Sequence, residues 1–286
     1  MSDRKAQDLL AQANKKAEHK GWFGGHKYEE AGELYEQAAN QFKLAKQMRE
    51  AGEAMSRAAD MSLKCNERND AAQRFISAAK SFKKNYPQEA VQALKRAIAL
   101  LTENGRFHAA ASHQKEVAQL YESDLADLEN AMEAYQLAAD WYASEDSNAL
   151  ANGCLLKVAA FAAQLEKYER AIDIFERIAE ASVDNQLTKW SIKDYFLKAG
   201  LCRLATADTI GARKALEHYK DLDMGFVNTR ECKLLDNLIA DAENEDMQGF
   251  TDHVAEFDQM STLDNWKTTI LLRIKHTITA NEEDLT

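Results

Sequence analysis

The sequence predicts an all-α fold in which antiparallel helical hairpins stack into a solenoid. Its 286 residues contain one proline, where an average composition would give about fourteen. Because proline breaks helix interiors, its near-absence favours long helical runs. A helical pattern of small and bulky residues also recurs about every 20 residues. No stretch approaches the roughly 18 consecutive apolar residues that a membrane-spanning helix needs.

The recurring pattern is a small residue, a bulky residue at i+4, and two small or apolar residues at i+7 and i+8. These offsets share one face of an α-helix. Clear copies begin at Ala31, Ala51, Ala71, Ala90, Ala110, Ala131, Ala151 and Ala171, and weaker copies begin at Ser191 and Ala212. A helix of about 14 residues and a turn of about 6 fill each period. Two periods therefore make one hairpin, which is typical of a tetratricopeptide-like α-solenoid.

The N-terminal part contains an aromatic pair between glycines. Helices are predicted over residues 6–19 and 28–43, and the loop 21–25 between them carries Trp22 and Phe23. Burying both aromatic side chains would stabilise a contact by roughly 3–6 kcal/mol. Two interpretations follow, namely insertion into an apolar phase such as a membrane, or folding back as a cap on the first hairpin.

The C-terminal part departs from the repeat. The period extends through the hairpin domain, residues 1–222, and fades after Tyr219. Three further helices are predicted over 231–241, 250–260 and 266–278, and they form a C-terminal helical bundle over 223–279 that closes the stack. Residues 280–286 are polar and acidic, and they are predicted to be a mobile tail.

The charge is distributed unevenly along the chain. The net charge is −11, with +5 over residues 1–120 and −16 over residues 121–286. Between Leu234 and Trp266 there is no Lys or Arg, but there are nine acids: Asp236, Asp241, Glu243, Glu245, Asp246, Asp252, Glu256, Asp258 and Asp264. Such a surface repels nucleic acid and suits a basic partner. The alternative is a solvated acidic helix face.

Motifs of enzyme chemistry are missing from the sequence. It has no glycine-rich phosphate loop, no HExxH and no nucleophile elbow. His108 and His113 are five residues apart and do not share a helix face. The four cysteines are widely spaced and form no CxxC, which is typical of reduced thiols in a cytosolic protein. We therefore expect no enzyme activity, metal or cofactor, and a surface that binds other proteins.

Basic residues are scattered over several repeats. They are Arg106, Lys115, Lys157, Lys193, Lys198 and Arg230. If the solenoid aligns them, they form one cationic patch for an acidic partner. Otherwise they are solvated positions on separate helix faces, and their spacing alone leaves both interpretations open.

The whole chain resembles the soluble NSF-attachment protein family. The most specific segments are WSIKDYFLK at 190–198, RECKLL at 230–235, LDNWK at 263–267 and EEDL at 282–285. The resemblance implies an adaptor that binds assembled SNARE four-helix bundles. It also implies recruitment and stimulation of the hexameric ATPase NSF, which takes the bundles apart in vesicle-mediated transport such as ER–Golgi traffic. The expected location is the cytoplasm, peripherally attached to membranes.

The resemblance also implies roles for individual residues. In the family, basic residues on one face grip the SNARE bundle, and by position these are Arg106, Lys157, Lys193 and Arg230. Relatives carry lysine where this chain has Ser112 and Gly153, so the grip is weaker there or shifts to neighbours such as Lys115.

The two ends of the chain have their own implied contacts. The family's N-terminal hydrophobic loop touches the bilayer, and Trp22 and Phe23 occupy its place. A C-terminal acidic region meets the ATPase, which assigns that contact to Glu282, Glu283 and Asp284. A penultimate leucine, here Leu285, stimulates ATP hydrolysis.

A rival interpretation is a tetratricopeptide co-chaperone or scaffold that clamps the acidic C-terminal peptide of a partner. It shares the fold but needs a compact cluster of basic residues and asparagines in one groove. The sequence shows no dense cluster of that kind. An enzyme would need a polar pocket that the repeat does not supply.

Overall fold

The structure, a computed structural model, describes residues 2–18, 24–185 and 187–284 of the chain. Within these residues the backbone forms fourteen α-helices, two short 3₁₀ helices and no strand, which confirms the all-α prediction. The α-helices are α1 (Ser2–Ala17), α2 (Gly24–Leu44), α3 (Met48–Lys64), α4 (Arg68–Phe82), α5 (Pro87–Glu103), α6 (Phe107–Ser123), α7 (Leu128–Ser144), α8 (Asn148–Gln164), α9 (Tyr168–Ser182), α10 (Ile192–Ala205), α11 (Thr209–Leu222), α12 (Arg230–Glu243), α13 (Met247–Met260) and α14 (Asn265–Asp284). The 3₁₀ helices are Lys189–Ser191 and Phe226–Asn228.

The repeat pattern corresponds to the buried face of the helices. In the eight clear copies every patterned residue is buried except Leu155, which is partly exposed. The alanines at i and i+7 let the backbones of neighbouring helices approach closely, and the bulky residue at i+4 fills the remaining space. In the first unit each of the helices α2 to α7 packs against the helix before it, and α2 to α7 are joined by short turns, as expected for antiparallel tetratricopeptide-like hairpins.

The weak copy at Ser191 is out of register by one residue. Ser191 and Tyr195 are partly exposed, whereas Ile192 and Phe196 are fully buried. The true buried face therefore begins at Ile192 and includes Gly200, where an added Cβ would lie 2.4 Å from a Leu235 methyl carbon. Glycine allows α10 and α12 to approach this closely, and this interhelical contact fixes the register of α10.

Many of the turns share one backbone conformation. A residue with positive φ follows α2, α3, α5, α6, α7, α8, α10 and α12; these residues are Lys46, Asn66, Gly105, Ala126, Asp146, Glu166, Ala207 and Glu245. After α3, for example, the Asn66 N–H donates to the Leu63 carbonyl at 3.0 Å and the Glu67 N–H to the Ser62 carbonyl at 2.8 Å. These bonds satisfy carbonyl groups at the helix end.

Replacing Ala207 by glycine is expected to stabilise the protein. Ala207 has a φ of 59°, a left-handed conformation that costs an L-residue about 1 kcal/mol and costs glycine almost nothing. The free energy of unfolding, measured by urea denaturation, should rise by about 0.5–1 kcal/mol. Ala99→Gly, at an exposed position inside α5, is the matched control and should lower it by about 1 kcal/mol. A loss of stability in Ala207→Gly would contradict the strain argument.

The chain packs into two compact units that divide between Cys154 and Leu155, inside α8. The repeat pattern instead places a boundary between residues 222 and 223, where the hairpin domain gives way to the C-terminal helices. In a repeat protein each helix contacts mainly its neighbours, so packing alone defines no unique boundary. The boundary at 222 stays a prediction.

In the first unit, ion pairs join helices of neighbouring hairpins. Arg74 on α4 contacts Glu36 on α2 at 3.2 Å, and Lys83 contacts Glu116 on α6 at 2.9 Å. The His113 ring and the Lys83 ammonium lower the pKa of Glu116 to about 2. Because the folded pKa lies below its usual value of 4.5, this contribution to stability is present above that pH and is lost as the pH falls towards 2.

In the second unit, an aromatic cluster and a partly buried ion pair hold three helices together. The Phe196 ring stacks on Tyr219 with centroids 4.4 Å apart. The Tyr219 hydroxyl donates to Glu176, which also accepts hydrogen bonds from Arg203 at 2.8 and 3.0 Å. Burial and the Glu176 carboxylate raise the pKa of Tyr219, so its hydroxyl remains a donor. The network connects α9, α10 and α11.

The last helix docks on the C-terminal turn of α8. The Trp266 indole N–H donates to the Ala160 carbonyl at 2.9 Å. The Arg273 guanidinium donates to the carbonyls of Ala163 at 2.9 Å and Gln164 at 2.8 Å. The last four carbonyl groups of a helix have no partner within the helix. Gln164 is the last residue of α8, so Arg273 satisfies a carbonyl that would otherwise need water. The Ala163 carbonyl also accepts from the Glu166 N–H at 3.1 Å, and Ala160 lies one turn further back in the helix.

Two of the family-like segments meet beside this contact. Lys198 on α10 and Lys267 on α14 both contact Asp194, at 2.8 and 2.6 Å. Burial alone would raise the pKa of Asp194, but the two ammonium groups hold it below its usual value. Lys198, one of the scattered basic residues, is thus engaged inside the fold.

Helix α14 extends further towards the C-terminus than the sequence pattern predicts. The pattern ends the helix at 278 and begins a mobile tail at 280, whereas α14 extends to Asp284. No glycine or proline occurs between Lys267 and Asp284 to stop the helix. Residues 285–286 lie outside the described part of the chain.

Candidate partner-binding surface

Neither a metal-holding cluster nor an activated thiol occurs among the described residues. They include no group of three His, Cys, Asp or Glu side chains placed to hold a metal ion. Burial raises the pKa of the Cys154 and Cys232 thiols, and that of Cys202 to about 12. These thiols stay protonated at neutral pH and are poor nucleophiles.

Lys193 lies in the first turn of α10 and is paired with an acid. Its ammonium nitrogen lies 3.0 Å from Glu231 Oε1 on α12. The Lys193 side chain is 44% exposed, while Glu231 is 14% exposed. The Lys193 ammonium group thus faces the mostly buried Glu231 carboxylate on one side and solvent on the other.

Arg230 is the neighbour of that carboxylate in the chain. It is the first residue of α12 and is exposed, and its guanidinium donates to the Met260 carbonyl at 3.1 Å. Met260 is the last residue of α13, so Arg230 also closes that helix end. The structure therefore brings Lys193 and Arg230 together through Glu231, which their separation in the sequence does not reveal.

An apolar–basic patch, defined by Leu187, Lys189, Trp190 and Lys193, surrounds the start of α10. The Leu187 and Trp190 side chains are 92% and 84% exposed, and Lys189 is also exposed. Trp190, Lys189 and Lys193 line an open groove of about 440 Å³, whose other wall is formed by residues of the 223–229 segment. Large exposed apolar side chains close together in the chain make this turn a candidate interaction site.

The sequence reasoning gave Leu187, Lys189 and Trp190 no binding role, because they lie outside the helical repeat. Two signals were available. Leu187 and Trp190 are large apolar residues in a segment without periodicity, and they stand within six residues of Lys193. A turn that carries bulky apolar residues not used by the repeat is a candidate for contact with a partner.

The other two basic candidates belong to other parts of the chain. Lys157 is exposed on α8, with its ammonium nitrogen 5.9 Å from the ring centroid of Phe161. Arg106 is exposed immediately before α6 and belongs to the first unit. The described contacts therefore group Lys193 with Arg230, and they leave Arg106 in a different unit.

The two positions for which the family resemblance implies lysine in relatives are both on the surface. Ser112 and Gly153 are exposed. A Cβ added at Gly153 would meet nothing within 4 Å, so the fold has room for a longer side chain there. Lys115 is partly exposed on the same helix as Ser112. Nothing in the packing of these positions requires the residues that this chain has.

Most of the nine acids between Leu234 and Trp266 have structural partners. Eight accept hydrogen bonds or form ion pairs: Asp236, Asp241, Glu243, Asp246, Asp252, Glu256, Asp258 and Asp264. Asp246, for example, accepts from the Gly249 N–H at 2.8 Å and caps α13. The high number of acids in this segment is therefore explained in part by helix caps and ion pairs, in addition to any role with a basic partner.

The remaining predicted contacts cannot be placed on the surface. Trp22, Phe23 and Leu285 lie outside the described residues. Glu282, Glu283 and Asp284 belong by backbone to the last turn of α14, but their side chains lie outside the described set. Among the helices that are described, none is long and apolar enough to cross a bilayer.

Comparison with known proteins identifies the family. A model of the family "Soluble NSF attachment protein, SNAP" matches residues 4–279. The alpha-soluble NSF attachment protein of Mus musculus is 46% identical, over 98% of this chain and 97% of its own length. The probable vesicular-fusion protein sec17 homolog of Schizosaccharomyces pombe is 45% identical, over 97% of this chain and 98% of its own length. The chain therefore belongs to the soluble NSF attachment protein family.

Proposed function

We propose that this chain is a non-catalytic adaptor that binds assembled SNARE four-helix bundles and recruits an NSF-type hexameric ATPase to take them apart. The single observation that carries the proposal is the family match over nearly the whole chain. Relatives about 45% identical, with names that refer to NSF attachment and vesicular fusion, support it. They do not favour the co-chaperone alternative.

The proposed bundle-binding surface contains Arg106, Lys157, Lys193 and Arg230. Exposure of all or part of each side chain supports this assignment, as does the ion pair of Lys193 with Glu231, the residue that follows Arg230 in the chain. Each exposed charge pair contributes at most about 1 kcal/mol. Such contacts select a bundle by its shape and charge rather than by its side-chain sequence. The exposed side chains of Leu187 and Trp190 add apolar contact beside Lys193.

The direct test is reconstitution with purified components. The chain is titrated into pre-assembled, soluble SNARE bundles, and the ATPase and ATP are then added. We expect saturable binding and disassembly that depends on the chain. A peptide with the acidic C-terminal sequence of a chaperone serves as the competing ligand. Binding of that peptide without binding of bundles would favour the co-chaperone function instead.

We further propose that Trp22 and Phe23 contact the bilayer and hold the adaptor on the cytosolic face of membranes. Changing both to serine should slow disassembly of bundles anchored in liposomes several-fold, because about 3–6 kcal/mol of apolar contact is lost. Disassembly of soluble bundles should change by less than about twofold, since no bilayer is present. Equal effects in the two assays would indicate that the aromatics fold back on the first hairpin.

The C-terminal end, with Glu282, Glu283, Asp284 and Leu285, is the proposed ATPase contact. Leu285→Ala should leave bundle binding unchanged and slow disassembly several-fold, because the leucine is proposed to act on the ATPase rather than on the bundle. Rates are measured by loss of fluorescence transfer between labelled SNARE helices. Thr286→Ala, one residue further, is the matched control. An unchanged rate in Leu285→Ala would rule out a stimulatory role for this residue.

A further inference from the structure

Glu231 has a carboxylate that is mostly buried and half satisfied. Its Oε1 contacts the Lys193 ammonium at 3.0 Å. Its Oε2 is shielded from solvent and has no hydrogen-bond partner among the described residues. Glu231 lies in the first turn of α12, where the helix dipole favours a negative charge. Lys193 is therefore the cation that compensates this buried charge.

The other acids near Lys193 are occupied elsewhere. Asp223, which lies along the same groove, accepts a hydrogen bond from the Gly225 N–H at 2.9 Å. Asp194, one residue from Lys193, is held by Lys198 and Lys267. In the described part of the chain, Glu231 is thus the acid paired with Lys193. Arg230 beside it donates to a neutral backbone carbonyl and keeps its full charge.

We propose that Glu231 is an internal counter-charge that limits how strongly Lys193 attracts an acidic partner. The inference rests on the proposed bundle-binding function. A carboxylate of the SNARE bundle competes with Glu231 for the same ammonium group. When Lys193 pairs with the bundle, the mostly buried Glu231 carboxylate loses part of its compensating positive charge. The free-energy cost of that loss lowers the affinity of the chain for the bundle. A limited affinity suits an adaptor that has to leave its cargo after disassembly.

The test is the nearly isosteric substitution Glu231→Gln. It leaves Lys193 in place and removes the negative charge that competes with the bundle. It also removes the free-energy cost of leaving that charge uncompensated. We expect the variant to bind soluble SNARE bundles roughly two- to fivefold more tightly at low salt. The gain should shrink as salt is added, because exposed charges are screened. Unchanged or weaker binding of Glu231→Gln would overturn the proposal.

Two controls separate this effect from a general change of charge. Asp60→Asn removes one acid from an exposed ion pair with Arg96 in the first unit, and it should leave the affinity within the error of the wild type. In a Lys193→Gln background, Glu231→Gln should have no further effect. An equal gain in Asp60→Asn, or a full gain without Lys193, would contradict a role specific to this pair.

The experiment also distinguishes this inference from the proposed function. If the wild-type chain does not bind bundles, the proposed function fails. If the wild type binds and Glu231→Gln binds no more tightly, the inference fails alone. Circular dichroism and thermal unfolding verify that the variant is folded. Glu231→Asp, which withdraws the carboxylate from Lys193 by one methylene group, is a second variant and should show a smaller gain in the same direction.

Discussion

The double variant Lys157→Glu, Lys193→Glu should bind bundles about 100-fold more weakly while keeping its helix content. Each reversal removes an attraction and adds a repulsion of comparable size, about 1–2 kcal/mol in total. Two reversals therefore sum to roughly 3 kcal/mol, which corresponds to a factor of about 100 in affinity. The two lysines lie on α8 and α10, both in the second unit, and both side chains reach solvent.

Binding is measured by titration into soluble SNARE bundles at physiological salt, and helix content by circular dichroism. The matched control is Lys80→Glu with Lys214→Glu, which changes the net charge equally at two exposed positions on α4 and α11. The control should retain most of its affinity. If the Lys157 and Lys193 variant binds within about threefold of the wild type, the basic residues do not form the binding surface.

Trp266→Ala should lower the free energy of unfolding of the second unit by about 3–5 kcal/mol, the usual cost of removing a large buried aromatic side chain. Trp266 is buried, packs edge-on against Phe175 with centroids 5.9 Å apart, and has the Lys198 ammonium 5.7 Å from its ring. The substitution also leaves the Ala160 carbonyl without its indole donor. Because these contacts fix the start of α14, we expect that helix to undock first.

Hydrogen exchange resolved along the chain is the measurement that checks this result. Amides of α14 should exchange much faster in Trp266→Ala, while those of the first unit should change little. Thr269→Ala, at an exposed position one turn further along the same helix, is the control and should leave the protection intact. Unchanged protection of α14 in Trp266→Ala would show that other contacts hold the helix in place.

The repeat could be predicted from the sequence because one local rule governs it. A small residue, a bulky residue and a small pair at fixed helical offsets must share one face, whatever the rest of the chain does. The register at α10 was wrong for the opposite reason. That helix is buried on much of its surface, so its pattern is weak, and contact with Leu235 on α12 decides which residues face inward.

The proposed binding surface could be predicted from the sequence less completely than the repeat. The ion pair of Lys193 with Glu231 joins residues 38 positions apart, and no local pattern predicts such a pairing. The turn with Leu187 and Trp190 has no periodicity, so its exposed apolar side chains become evident only when the helices are placed. The resemblance to a known family implies a bundle-binding role for Lys193, which stays a prediction, and it does not reveal the acid that is paired with this lysine.

The docking of α14 on α8 has a mechanical consequence. Trp266 and Arg273 bind carbonyl groups at the C-terminal end of the helix that carries Lys157. A force applied to α14 is therefore transmitted directly to α8. It does not first pass through the five helices that lie between α8 and α14 in the sequence. If the ATPase binds one end of this unit and the SNARE bundle binds the other, those hydrogen bonds are under tension. The packing of Trp266 on Phe175 and the ion pair of Lys267 with Asp194 share that load.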